Sequence, residues 1–173
     1  MPSYRVKEKI SNTSLACAAA AVPGAFMPGI DLAAVGGLWT SMMITIAKDH
    51  NVTFDESPEA FIGSIAAGIG AYWTGSKIIT KGLSIAIGFL TAGIGYAVAA
   101  VASNVALNAY FSWSLGRKMD DIFAAHGGTR AGREIAVLIV KAVCHIPKWG
   151  ELSEFIDDTD LSVSKLRDII ENN

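Results

Sequence analysis

The residues able to do chemistry are few and scattered. His50, His126 and His145 share no metal-ligand spacing, and no carboxylate stands three or four residues from them on a common helical face. Cys17 and Cys144 are far apart in apolar surroundings and read as two reduced, buried thiols. Neither a nucleophile elbow nor a Cys-x-x-Cys pair occurs. The run from Gly127 to Arg133 has the glycine spacing of a phosphate-binding loop. There, however, Arg133 stands where the lysine is needed and Glu134 where magnesium requires a hydroxyl. Asp157, Asp158 and Asp160 imitate the start of a calcium loop, but the turn glycine and closing glutamate are missing. The sequence therefore offers no catalytic residue, no cofactor-binding residue and no metal site.

What remains is chemistry of association. Asn104 and Asn108 lie four apart in an apolar helix, where their amides would bond to a neighbouring helix and fix its register, a polar seam. A permeation path along that seam is the alternative. Thr129 reads as the cap of a helix from Arg130 to Ile146 whose first turn carries Arg130 and Arg133. Those cations oppose the helix dipole; the plain reading is two solvated arginines, with a contact to an anionic headgroup or a partner carboxylate as the alternative.

The segments 62–70 and 87–95 agree at six of nine positions. Their glycines, Gly63, Gly68, Gly70, Gly88, Gly93 and Gly95, each cost about 1 kcal/mol relative to alanine in a water-exposed helix. Close helix contacts through small residues would offset that cost. Lys77 and Lys81 lie between the two copies, at a membrane surface or in a solvated turn. Tyr110, Trp113 and then Arg117-Lys118 read as an interfacial aromatic belt with a basic stop.

Helices must position nearly all of these residues. The pattern predicts a first helix from Ser3 to Ala21, stopped at Pro23-Gly24, and a second capped by Asp31 and ending near Lys48-Asp49. Residues 51–56 read as a polar loop, and Ser57-Pro58-Glu59 as a helix start. Ser162 caps a last short helix, with Leu161 and Leu166 as its hydrophobic staple. The acidic tail before it reads as water-facing and available for docking.

Composition places these helices. The chain is 51% apolar and 17% charged, with a mean hydropathy of +0.40, against about 25% charged for an ordinary soluble domain. A net charge of -2 gives no basic excess for nucleic acid. The deficit is local: Gly82 to Gly116 is a run of 35 residues without Asp, Glu, Lys or Arg, and residues 10–30, 32–47 and 60–76 are free of them too. Seven acids against two basic residues in 149–173 give the tail a net charge of -5. Charge-free runs of this length favour membrane association.

The runs Ala18 to Gly24, Pro28 to Ala33, Trp39 to Met42, Ile46-Ala47, Tyr72 to Gly75 and Asn108 to Gly116 carry a resemblance. Over residues 15–125 or so the chain resembles the YcjF-like family of helical domains. The resemblance implies an all-helical, membrane-associated module without known enzymatic activity, often attached to or encoded near Era-like GTPases. This chain has no GTPase motifs, so a GTPase would be a separate partner.

The expectation is an all-α protein. Residues 1–125 form apolar, glycine-rich helical hairpins, and 126–173 a more polar amphipathic helix pair with an acidic tail. The expected function is a non-enzymatic module at the bacterial inner membrane or its cytoplasmic face, with membrane lipid as partner and self-association into a homo-oligomer. A pore component and an adaptor for a separate GTPase are the alternatives.

Overall fold

A computed structural model describes residues 3–24, 30–54, 68, 96–125, 129–130, 134, 137–138, 141 and 148–172. Among them the chain is all-α, with helices α1 (Tyr4–Gly24), α2 (Ile30–Asp49), α3 (Tyr96–Ala125), α4 (Trp149–Thr159) and α5 (Val163–Glu171). Two two-residue strands, β1 (Thr53–Phe54) and β2 (Thr129–Arg130), pair in parallel, Thr53 opposite Thr129.

α3 is central. Nearly every described side chain from Val101 to Gly116 is buried, because α1 and α2 cover two of its flanks and α4 and α5 pack against it as well. α1 contributes Val6, Ile10, Cys17 and Ala18 at helical spacing, and α2 contributes Val35, Trp39, Met42, Met43 and Ile46. Gly116 lets the three helices meet. A Cβ there would stand 2.7 Å from Ile10 Cγ1 and 2.9 Å from Met42 Sδ.

Polar contacts fix the helix directions. Ser3 bonds Asp49 at 2.9 Å and Lys9 bonds Ser41 at 3.0 Å, so α1 and α2 are antiparallel. Trp39 meets Ser112 while His50 meets Asp120, so α2 and α3 run the same way.

This arrangement sorts the charges. Arg5 to Lys9 of α1, Lys48 and Asp49 of α2, and Arg117 to Asp121 of α3 gather at one end. Residues 10–24, 32–47 and 96–116 of the same helices carry no charge and run toward the other end, where Asp31 in the first turn of α2 is the one charged residue these three helices place.

The second helix begins at Ile30, one residue before the expected cap, and the first runs to Gly24. Ser162 caps α5 as expected, its Oγ accepting from Lys165 N–H at 3.3 Å over a buried Leu161 and Leu166. Two expectations are corrected. Residues 53–54 are strand, not loop, and Thr129 and Arg130 form the partner strand rather than the cap and first turn of a helix. Glu134, Val137, Leu138 and Lys141 are helical. Gly68 is helical and buried, whereas Gly63, Gly70, Gly88, Gly93, Gly95, Lys77, Lys81, Arg133 and the Ser57-Pro58 helix start lie outside the described residues.

Candidate functional site

Asn104 and Asn108 lie inside the bundle, the first bonded across to α1 and the second within α3. Asn104 on α3 donates from Nδ2 to the Ala21 carbonyl of α1 at 2.8 Å, so the expected interhelical bond forms. Asn108 turns back instead and donates to the Asn104 carbonyl at 2.9 Å. It is 1% exposed, and its Oδ1 has no hydrogen-bond partner among the described residues. One turn on, the Ser112 hydroxyl donates to the Asn108 carbonyl and accepts the Trp39 indole N–H, both at 2.8 Å.

Cys17 faces this cluster from α1. Burial pushes its thiol up to about 11, while the Ser112 and Trp39 bonds to the sulfur pull the other way. A nucleophilic thiol needs a stabilised thiolate and access; Cys17 is fully buried and has neither. His50 is no help, because its partner Asp120 stands two turns beyond Ser112, roughly 12 Å along α3. The seam is a structural polar core that ties three helices in register.

His50 has no carboxylate at helical spacing in the sequence, yet its Nε2 lies 2.8 Å from Asp120 Oδ1. Asp120 is almost fully buried. The pairing spans 70 residues of sequence, so no local spacing could announce it. It closes the charged end where α2 leaves for β1.

The residues read as an interfacial aromatic belt are covered by α4. Tyr110 and Trp113 are buried, and Phe155 of α4 packs edge-on against Tyr110 at 5.5 Å and tilted against Trp113 at 5.8 Å. Trp113 donates its indole N–H to Asp158 at 2.9 Å, and Arg117 lies over its ring at 5.7 Å while pairing with Asp158 and Glu154. Burial, then the nearby Glu151 charge, pushes the Tyr110 hydroxyl up to about 12, with a Ser114 bond opposing. The acidic segment is therefore docked on its own chain. Its helical signal is the 3-4 spacing of Trp149, Leu152, Phe155, Ile156 and Thr159.

Beside α4 a cleft of about 330 Å³ opens, with Tyr4, Lys7, Glu8 and Asn12 of α1 on one wall, Asp157 and Asp158 on the other, and Trp113 and Arg117 between them. No group of three or more His, Cys, Asp or Glu side chains suited to a metal occurs among the described residues. No described helix is long and apolar enough to cross a membrane.

No protein-family model, curated protein or solved structure matches the chain.

Proposed function

We propose that this chain is a non-enzymatic, membrane-associated helical module that self-associates, at the bacterial inner membrane or its cytoplasmic face. The observation that carries the reading is the segregation of charge along α1, α2 and α3, whose charge-free runs are brought side by side by the antiparallel placement of α1. α4 sets its acids alongside Tyr110 to Arg117, so the charge-free part narrows to the levels of α3 before Tyr110. That part is roughly 20 Å long at 1.5 Å per residue, a little more than one leaflet of a hydrocarbon core about 30 Å thick. Its outer surface includes Ala19, Ala20 and Ala34, side chains that lose little on leaving water.

The buried seam argues against a pore, because the Asn104 and Asn108 side-chain N–H groups donate within the bundle. An adaptor whose partner protein, rather than lipid, covers the charge-free end draws on the same segregation. A separate GTPase as that partner has only the family resemblance behind it. Carbonate extraction of membranes from expressing cells separates these readings. Retention in the pellet is expected, whereas full release as a detergent-free monomer would favour the adaptor.

A further inference from the structure

The contact between α4 and the bundle joins surfaces of opposite character. Between Trp149 and Thr159, α4 carries Glu151, Glu154, Asp157 and Asp158 and no lysine or arginine. Beneath it lie Tyr110, Trp113 and Arg117, a composition suited to the headgroup zone of a bilayer. The α1 wall of the neighbouring cleft adds Lys7 and Tyr4, the latter 82% exposed. This band lies where the charge-free part of the bundle gives way to the charged end.

The seating of α4 is uneven. Phe155 is packed on α3 and α4 also meets α1, yet a cleft of about 330 Å³ stays open beside Asp157 and Asp158. The ion pairs that hold α4 are open to water: side-chain exposure is 27% for Arg117, 47% for Glu154 and 28% for Asp158. Such pairs are weakened by solvent and salt. Neither α4 nor α5 is long enough to persist as a helix by itself, so both depend for their place on the packing of Leu152, Phe155, Leu161, Leu166, Ile169 and Ile170 against the core. With α4 seated, the cleft sets Lys7 and Arg117 against Glu8, Asp157 and Asp158. With α4 lifted, the same two cations face Glu8 alone, and the local charge changes sign.

We propose that α4 is an acidic cap over Tyr110, Trp113 and Arg117, that these three with the exposed Tyr4 and Lys7 beside them make a lipid-binding band, and that an anionic membrane surface competes with α4 for it. The inference rests on the membrane-association reading and adds to it a regulated contact and a lipid class. Aromatic rings supply affinity for the headgroup zone, and the freed guanidinium and the Lys7 ammonium supply the preference for negative lipid.

The test compares binding of the full chain to phosphatidylcholine vesicles and to vesicles with added phosphatidylglycerol. Glu154→Gln with Asp158→Asn removes the cap's charges on Arg117 and should raise binding to the anionic vesicles by at least about fivefold, with little gain on neutral ones. Adding Arg117→Gln should abolish the gain. In the wild type, hydrogen exchange across 149–159 should speed up when anionic vesicles are added, a readout that does not depend on any variant folding. Wild-type binding with no gain in the variant and unchanged exchange would overturn the cap and leave membrane association standing. Failure of every form to bind either vesicle would overturn both.

Discussion

Trp39 of α2 donates its indole N–H to the Ser112 hydroxyl of α3 at 2.8 Å, inside a core where both side chains are fully buried. The bond joins residues 73 positions apart and holds α2 parallel to α3, the arrangement on which the sorting of charge depends. Trp39→Phe removes the donor and part of the ring volume. A loss of about 2 to 4 kcal/mol is expected from the bond and the residual cavity together, measured as a lower midpoint of urea unfolding with unchanged slope.

Two glycines should respond oppositely to the same change. At Gly116 an added methyl meets Ile10 at 2.7 Å, close to the α1 backbone and with little room to move. Gly116→Ala should therefore cost about 1 to 3 kcal/mol by overpacking. At Gly37 a Cβ meets nothing within 4 Å. Gly37→Ala should raise stability by about 0.5 to 1 kcal/mol through helix propensity. Thermal unfolding of the two variants beside the wild type checks both signs.

The two asparagines of the seam should also separate. Asn104→Leu deletes the bond to the Ala21 carbonyl and should destabilise by about 1 kcal/mol or more. Asn108→Leu deletes bonding within α3 and removes a buried acceptor that has no partner among the described residues. Its stability should stay within about 1 kcal/mol of the wild type. Denaturant titration measures the difference, and a larger loss at Asn108 than at Asn104 would contradict the assignment of the interhelical tie.

Alkaline pH should weaken the fold. The Cys17 thiol rises from its ordinary 9.0 to about 11 on folding, and the Tyr110 hydroxyl from 10.0 to about 12, each mainly through burial. A raised folded-state value means that the unfolded chain loses its proton first. The stability from these neutral forms is whole below about pH 9 and is lost as pH rises toward 12. Stability should fall across that window, and the fall should be shallower in Cys17→Ala with Tyr110→Phe. The same burial makes Cys17 inert to thiol reagents until the chain unfolds.

Helical elements were legible where burial is periodic. The spacing of Val35, Trp39, Met42 and Ile46 marked α2, and Leu161-Ser162 with Leu166 marked the start of α5, because both signals are local. α4 escaped notice because its acids outnumber its apolar anchors, and Phe155 gains meaning only against Tyr110 and Trp113, more than 40 residues away. The same limit hid His50 with Asp120 and the pairing of Thr53 with Thr129. The polar seam was half legible: adjacent amides announce a need for partners, but only packing decides that Asn104 reaches across while Asn108 turns back.

The outward side of α2 offers the most direct measurement of the central claim. Ala34, Gly37, Ser41, Ile44 and Lys48 are all exposed and step along one face from the charge-free end to the charged end. Single cysteines at these positions, in a chain lacking Cys144, can carry an environment-sensitive fluorophore while Cys17 stays buried. On adding phosphatidylglycerol vesicles, membrane association predicts a blue shift and lipid quenching that are largest at Ala34 and fade to nothing by Lys48. Emission unchanged at all five positions, or a shift largest at Lys48, would contradict the account.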